Sequence, residues 1–569
     1  MAAGLCLIGA SHASAQTSGT SCPGDNGGLT LSPGFCATVF ADQIGHARHM
    51  VVAPNGVLYV NTWSGPYYNN DTQHAGGFLV ALQDTKGDGH ADKVERFGPD
   101  FPHGNHGGTG IGLYRGYLYA ETNDKIVRYK LSAQVIAPTA TAETVVFGMP
   151  LTGDHPMHPF AIDAQGNMYV DMGSATNACQ PENRVPGVTG ARPCTELQTR
   201  GGIWRFDANR LNQKFSSAER FATGIRNGEG ISFDSQGRIF VTQHGRDQLY
   251  ENWPKLYNEQ QGQNEPAEEL VQLRPGGDYG WPECYFDIDQ KKLVLAPEYG
   301  GNGGKAVGEC ANKLEPAAWF PAHWAPNDVQ IYQGSSFPSG YKDGAFLAFH
   351  GSWNRAPGPQ GGYNVVFQPL SDGKASGPFV VFADGFAGAV KEPGRAAHRP
   401  SGLAVAPDGA LYISDDVTGR VWRVTFNGDR SQTQISAAAP APKVQEAASS
   451  RPGMPPEGLN PHAGAQLPVP PGASPDQVAL GEQLYHSKTC AGCHSSDGKG
   501  SATGADLTTG KYVWSNGSVQ GIEKTIASGV PKPKNHIGAM PPDGGTQLSQ
   551  AELTALADYV WALGHTSMQ

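Results

Sequence analysis

This 569-residue chain is poor in charge: Asp, Glu, Lys and Arg make up only 16% of it, and no run of Lys or Arg occurs anywhere. With a net charge of −11 it lacks the basic footprint of a nucleic-acid binder, so nucleic acid is excluded as a partner. No uninterrupted apolar run reaches the roughly 20 residues of a membrane-spanning helix, which limits membrane contact to the peripheral kind. No G-x-G-x-x-G follows a strand in a β-α-β setting, and "GTGIG" (108–112) is only a glycine-rich loop, so a nicotinamide-binding domain is not expected. What the chain has instead is 76 Gly and 43 Pro, a turn-rich mix that suits many short strands. Its length exceeds one ordinary core and predicts two or more domains.

Cysteine is sparse, nine residues in all. Cys6 lies in "MAAGLCLIGASHASAQ", a short apolar run ending in Ala13, Ser14 and Ala15 before Gln16. That is the pattern of the back half of a secretory signal with its small-residue cleavage site. Residues 1–15 are read as a signal-peptide remnant; the basic n-region is missing, so the natural start is expected upstream. Cys490 and Cys493 belong to a separate motif. The remaining six fall as local couples: Cys22 and Cys36, Cys179 and Cys194, Cys284 and Cys310. Six cysteines allow many connectivities, and proximity favours these three. Disulfides persist in an oxidising compartment, so a periplasmic or secreted protein is expected.

One phrase recurs six times between residues 50 and 425: an apolar residue, a tight turn with Gly, then a strand-like run. The copies are "VAPNGVLYVNT" (52–62), "GLYRGYLYAET" (112–122), "IDAQGNMYVDM" (162–172), "FDSQGRIFVTQ" (233–243), "YKDGAFLAFHG" (341–351) and "VAPDGALYISD" (405–415). Gly supplies the positive φ of a hairpin turn, and alternating apolar and aromatic residues suit half-buried strands. Six hairpins predict a mostly β fold, a six-bladed β-propeller over residues 16–429, which closes radially and leaves few free edges. The widest gap between turn glycines, 237 to 344, should hold long loops on one face, where function tends to sit.

After Phe426 the texture changes. "AAAPAPKVQEAASSRPGMPPEGLNPHAGAQLPVPPGASP" is rich in Ala, Pro and Gly without aromatics, and residues 430–474 read as an extended linker. From there the pattern is helical. "SPDQVALGEQLYHSK" offers Ser474 as a cap and Pro475 at the first helical position. "LSQAELTALADYVWALG" offers Ser549 as N-cap, Glu552 three residues on, and a terminal Gly564. Residues 475–569 are read as a small all-α domain.

That domain carries "CAGCH", in which Cys490 and Cys493 bond the vinyl groups of a c-type haem and His494 ligates its iron from one side. A zinc site would want a second Cys/His pair, and none follows in place. Met540 in "GAMPP" is the expected sixth ligand, a thioether that raises the haem potential, with His536 as its rival. The domain resembles class I cytochromes c throughout. It takes and passes single electrons, so the propeller must supply them.

The propeller has no second C-x-x-C-H, which leaves a bound organic redox cofactor. "GDHPMHPFAIDAQGNMYVDMGSATN" (153–177), "GIRNGEGISFDSQGRIFVTQHGRDQLYE" (224–251), "PGGDYGWPECY" (275–285) and "FHGSWNRAPGPQGGY" (349–363) together resemble the sugar and sorbosone dehydrogenases that use pyrroloquinoline quinone. The resemblance spans nearly the whole propeller. It implies that His155, beside Asp154, takes the substrate hydroxyl proton, with His158 as rival base. It implies that Arg226 and Asn227 contact the quinone and that Arg226 helps hold developing negative charge. Calcium held against the quinone by the Gly245 and Arg246 carbonyls is implied too, although Arg246 stands where the glucose-oxidising members have Pro. Further cofactor contacts fall near His106, Asn354, Arg355 and Arg399, while a second family arginine aligns to Ser401.

A further calcium-like loop, "DTKGDGHADKVE", places Asp84, Asp88, Gly89, Asp92 and Glu95 at the calcium-loop pattern positions, but Lys86 occupies one where a ligand belongs and helical flanks are missing. The expected activity is oxidation of an aldose or sugar aldehyde, with electrons leaving through the haem to an external cytochrome, cupredoxin or quinone. The alternatives are a calcium-dependent propeller lactonase or hydrolase, and a non-enzymatic electron carrier, each with a fused cytochrome.

Overall fold

The computed structural model describes residues 22–62, 76–99, 108–355, 359–389, 391, 396–431, 435–439, 467–487, 490–494, 498–500, 504–531, 533–534, 540, 542–545 and 548–566. The signal-like segment 1–15, most of the linker, His106 and His536 lie outside these residues.

Six sheets with four-stranded antiparallel cores follow one another along the chain. Blade I holds Ala47–Val52, Leu58–Thr62, Leu79–Gln83 and Lys93–Phe97; blade II holds Ile111–Tyr114, Tyr117–Thr122, Lys125–Lys130 and Glu143–Phe147. Blade III holds Phe160–Ile162, Asn167–Met172, Gly202–Asp207 and Arg220–Thr223; blade IV holds Ile231–Phe233, Ile239–Gln243, Glu268–Gln272 and Ala318–Phe320. Blade V holds Pro326–Ile331, Ala345–Phe349, Asn364–Gln368 and Val380–Asp384, and blade VI begins with Pro400–Val405, Leu411–Asp415 and Val421–Phe426. Blade II gains Gln213–Lys214, paired parallel to its outer strand, and blade V gains Thr30–Leu31, paired antiparallel. The first strand of each blade touches the first strand of the next, and that of blade VI returns to that of blade I. This is a closed six-bladed propeller.

Closure uses the other end of the sequence. Blade VI takes its fourth strand from Phe35–Ala41, which pairs antiparallel with Val421–Phe426 from Phe35 opposite Phe426 to Ala41 opposite Val421. Phe35 on that strand is buried and packs edge-on against Phe337, Phe382 and Phe426, each ring centre 4.8 Å away. Edge-to-face contact adds to the large apolar area such rings bury, so the seam is held by packing as well as by its ladder.

The six repeated phrases are the hairpins joining the first two strands of each blade. Glycines 56, 116, 166, 237 and 409 take the expected positive φ. Blade V differs: Asp343 carries the positive φ (56°), not Gly344. Gly344 is required for space instead, since a Cβ there would stand 2.2 Å from Phe367 Cζ.

The gap between blade IV's second and third strands is filled by two short helices, Leu249–Asn252 and Glu259–Asn264. A small hairpin, Cys284–Asp287 with Lys292–Leu295, lies between its third and fourth strands. Three disulfides join Cys22 to Cys36, Cys179 to Cys194 and Cys284 to Cys310, the local couples expected from proximity. Residues 435–439, inside the expected linker, lie on the propeller: the Ala438 N–H donates to Val381 O (2.7 Å) on blade V.

The C-terminal region is helical: Pro475–Ser487, Cys490–His494, Val519–Ser528 and Gln550–Leu563. Ser474 and Gln477 exchange hydrogen bonds at the start of the first, and Ser549 and Glu552 form a capping box at the start of the last. These two helices touch at Gly481, where a Cβ would stand 1.9 Å from Ala555 O. Leu484, Tyr485, Ile522, Ile526, Leu556 and Tyr559 form the core beneath that crossing. Among the described residues, no helix is long and apolar enough to cross a membrane.

Candidate functional site

In each antiparallel hairpin the residues before the first strand and those after the second emerge at the same end. That topology gathers the chemistry-bearing segments of the propeller: 153–158 and 173–177 from blade III, 226–229 and 244–248 from blade IV, 350–355 from blade V and 399 with 415–416 from blade VI.

His155 is fixed by Ser174. Its Nδ1 lies 3.0 Å from both the carbonyl oxygen and Oγ of Ser174. A carbonyl only accepts, so Nδ1 carries the proton and Nε2 the lone pair. Nε2 makes no hydrogen bond among the described residues. Burial, then the nearby Arg226 and Arg184 guanidiniums and the His244 ring, hold the imidazole well below its ordinary pKa, so it is neutral. His158 is different: it is fully buried, with Nδ1 3.1 Å from Glu121 Oε1 and Nε2 2.9 Å from Pro150 O. Both its nitrogens are committed to the scaffold.

Arg226 and Asn227 precede the first strand of blade IV. The Arg226 guanidinium is buried and donates to Asp247 Oδ2 (2.8 Å), Asn177 Oδ1 (3.0 Å) and Gly245 O (3.0 Å). Asp247 also receives Arg184 Nη2 (2.9 Å) and, on its other oxygen, Asn354 Nδ2 (2.8 Å). Burial alone would raise the Asp247 carboxyl; Arg226 and Arg184 outweigh it and hold the group well below the usual carboxylate range. Loops of blades III, IV and V thus meet on one carboxylate.

Two amide oxygens face this centre without a hydrogen bond: Asn227 Oδ1 and Asn354 Oδ1, on residues 2% and 7% exposed. A buried acceptor left unpaired is costly, so these atoms fit a ligand that brings donors. Packing beside Asn227 is close: Gly173 has no room for a Cβ, which would stand 2.6 Å from His155 Cβ and 3.0 Å from Asn227 Oδ1, so glycine lets the His155 turn approach that amide. The floor is an ion pair across the ring, from Arg48 of blade I to Glu229 of blade IV (3.4 Å), with Arg48 also on Asp416 (2.8 Å) and Asp416 on His350 (2.8 Å). Asn227 Nδ2 reaches Glu229 at 3.4 Å, which ties it to that floor.

The turn holding Gly245 is braced by Glu268, whose two oxygens accept the Gly245 and Ala325 amides (2.9 and 3.0 Å). Behind Arg226, Gln243 accepts its amide (3.0 Å) and donates to Glu269 (3.1 Å). A cavity of about 20 Å³ beside Glu269, lined also by Trp281 and Tyr285, has room for one water.

The helical region encloses a second, larger cavity of 170 Å³ with Cys490, Cys493, His494 and Met540 on its walls. His494 Nδ1 donates to Ala505 O (2.8 Å), so its other nitrogen bears the lone pair a metal needs. Met540 is held by a two-bond bridge to Val530, 2.6 and 3.0 Å. Two attachment cysteines, an oriented imidazole and a thioether around one apolar space fit a covalently bound haem.

The sequence model of the family described as TrAA12-like matches residues 29–427. The chain belongs to that family. A second model, described as "Cytochrome C oxidase, cbb3-type, subunit III", matches residues 476–560. A pyrroloquinoline quinone-dependent pyranose dehydrogenase of Coprinopsis cinerea is 30% identical over 35% of this chain and 30% of its own length. A pyrroloquinoline quinone-dependent sugar dehydrogenase of Hypocrea jecorina is 23% identical over 57% of this chain and 75% of that protein. The chain spans about half, or less, of the length of the first curated relatives it matches. Among solved structures, the holo quinone domain of Coprinopsis cinerea pyranose dehydrogenase superposes with a TM-score of 0.55 at 21% identity, covering 70% of this chain and 97% of that one; this likeness concerns the fold.

In this TrAA12-like propeller, His155, Arg226, Asn227, Asn354 and Gly245 converge on the Asp247 centre. Asp154 is beside His155 in sequence but is not its hydrogen-bond partner: its carboxylate faces Arg184 (3.0 Å) and Asn183 (3.0 and 3.2 Å), and Ser174 orients the ring instead. The Arg246 side chain turns to Glu298, leaving only its carbonyl for a cation. Arg355 donates to the carbonyls of Gln263 and Ala322, and Arg399 to those of His350 and Gly351, so neither guanidinium reaches Asp247. In the 84–95 loop, Asp84 accepts the amides of Lys86, Gly87 and Gly89, and Asp92 accepts from Thr85. Those carboxylates tie their own turn, and among the described residues no group of three or more His, Cys, Asp or Glu is arranged for a metal. Asp247, Arg184 and Glu268 are the site residues that sequence reasoning missed. Asp247 was within reach, two residues after Gly245 in "QHGRD"; Arg184 and Glu268 carry no local signal.

Proposed function

We propose that the protein is an extracytoplasmic quinohaemoprotein dehydrogenase that oxidises an aldose or a sugar aldehyde at a C–OH group. The relatives named above supply the cofactor and substrate class. The observation that carries the reading is His155: a half-buried neutral imidazole with Nδ1 fixed by Ser174, near Arg226 and the unpaired Asn227 Oδ1, in the same chain as a cavity lined by Cys490, Cys493, His494 and Met540. Three disulfides support an oxidising location, periplasmic or secreted.

Pyrroloquinoline quinone bound here supplies a two-electron acceptor, and haem c a one-electron exit to an external acceptor. Asn227, Asn354 and Arg226 would hold the quinone, with the Gly245 and Arg246 carbonyls as hard oxygen donors for calcium. The Gly245 carbonyl is shared with Arg226 Nη1 but keeps a second lone pair. His155 Nε2 takes the substrate hydroxyl proton, and Ser174 keeps the opposite nitrogen protonated so that only Nε2 can act. Arg226 faces the negative charge that develops as the proton leaves. We place the propeller at 16–429, the linker at 430–474 and the cytochrome domain at 475–569, joined so that the haem can approach the quinone site.

The test is direct. The protein is loaded with quinone and calcium, offered a panel of aldoses and sugar aldehydes, and followed by the absorbance of reduced haem. At least one sugar should reduce it, and His155→Ala should bind quinone yet reduce haem slower by roughly 10²–10⁴-fold. Haem that stays oxidised with every sugar would overturn the reading.

A further inference from the structure

Between the second and third strands of blade III the chain makes an excursion, residues 173–201, closed on itself by the Cys179–Cys194 disulfide. Near its tip Asn183 and Arg184 turn back into the site. Arg184 has a φ of 63°, in the left-handed region that a long side chain seldom adopts. Strain of this kind persists only where the surroundings hold it, and here three contacts do. Arg184 Nε donates to Asp154 Oδ2 (3.0 Å), Nη2 to Asp247 Oδ2 (2.9 Å) and Nη1 to Gln248 Oε1 (3.1 Å). Asn183 Nδ2 adds contacts to both Asp154 oxygens.

Asp154 is the residue before His155, and Asp247 is the carboxylate that Arg226 also grips. One guanidinium therefore joins the turn bearing the imidazole to the anchor of the neighbouring arginine. We propose that Arg184 is a positioning residue for proton abstraction: by bridging Asp154 to Asp247 it locks the His155 turn and Arg226 into one rigid unit. The proposal rests on the reading of His155 as the base.

Bracing is half of its effect; charge is the other half. The groups facing the His155 ring are the cations Arg226 and Arg184, the imidazole of His244, the carboxylate of Asp247, and Ser174; Arg200 donates to the His155 carbonyl (3.2 Å). A planar fork fixed on two carboxylates cannot be copied by an ammonium, so the two halves separate by substitution. Arg184→Lys keeps the charge and loses the fork, while Arg184→Gln loses both.

The experiment measures kcat and kcat/KM for sugar-driven haem reduction across pH in the full-length loaded protein, with melting temperatures in parallel. Both variants should lose kcat by roughly tenfold or more, the scale expected for a misplaced reacting group. In Arg184→Gln the acid limb should move up by about one pH unit, since a like charge near the imidazole is gone; in Arg184→Lys it should stay. Asn183→Ala is the second variant: it removes two contacts to Asp154 and the acceptor of the Asn177 amide (2.9 Å), leaves every charge in place, and should lower kcat with the limb unmoved. Wild-type kcat in both Arg184→Lys and Asn183→Ala overturns the bracing, and an unmoved limb in Arg184→Gln overturns the charge effect. A wild-type profile with no acid limb, or a limb that survives His155→Gln, sinks the reading of the base itself and the proposal with it.

Discussion

Replacing Glu269 by Gln should flatten the pH dependence of stability in the protein free of quinone and calcium. Glu269 lies on the third strand of blade IV and is 2% exposed; Oε1 receives Gln243 Nε2 and Oε2 has no partner among the described residues. Burial pushes its carboxyl from the ordinary 4.5 up to about 8. Below the lower value folded and unfolded chains both hold the proton, and the stabilising contribution is complete. Between the two values only the unfolded chain releases it, so stability falls as pH rises, and the loss levels off above the folded value. At about 1.4 kcal/mol per unit the full shift would be close to 5 kcal/mol, and with relaxation and water entry in the adjacent cavity about 2–5 kcal/mol is expected. Gln is nearly isosteric with the protonated acid and keeps the bond to Gln243. Urea unfolding should therefore find the two proteins similar near pH 5 and the Gln variant more stable near pH 9 by about 2–5 kcal/mol. Parallel pH dependences in the two proteins would refute the reasoning, because they would mean that Glu269 ionises alike in both states.

Other perturbations follow from the same structure. Asp247→Asn removes the counter-charge of two guanidiniums and should cost about 3–5 kcal/mol of stability, read by urea unfolding. It should also move the acid limb of activity down, opposite to Arg184→Gln, because Asp247 favours the charged imidazole. The depressed Asp247 carboxyl contributes stability that is present above the ordinary carboxylate range and lost as pH falls through it, so wild type should lose stability on acidification more steeply than Asp247→Asn. Met540→Leu should lower the haem midpoint potential while leaving the haem attached, which a redox titration and a denaturing gel separate.

Legibility differed between fold and site for a physical reason. A hairpin turn is written locally, and five of six glycines took the positive φ that their phrases required. The blade V exception shows the limit: Asp343 can bear that strain, and what Gly344 supplies is room for Phe367, a neighbour 23 positions on that no local pattern reveals. Capping boxes at Ser474 and Ser549 were equally local and equally readable. The centre of the site is the opposite case. Asp247 meets Arg184 and Asn354 only because three blades bring their loops to one end, and the pairing spans 63 and 107 residues. Nor did the sequence show where the Arg355 and Arg399 guanidiniums go: both donate to backbone carbonyls brought together by the fold. Asp154 adjoins His155 in sequence, yet its side chain is held by a disulfide-closed loop that no local pattern reveals.

The seam of the toroid joins Phe35–Ala41, made before any strand of blade I, to Val421–Phe426, the last strand of the propeller to be synthesised. The first of them must wait, unpaired, until nearly four hundred further residues have been made. Its exposed edge and its Phe35 ring are sticky during that interval, a hazard for long-range β pairing. The helical C-terminal region is made last, so the circle can snap shut before that region has finished folding. A nick or deletion ahead of blade I would therefore do its damage at the opposite end of the map, by leaving blade VI without its rim.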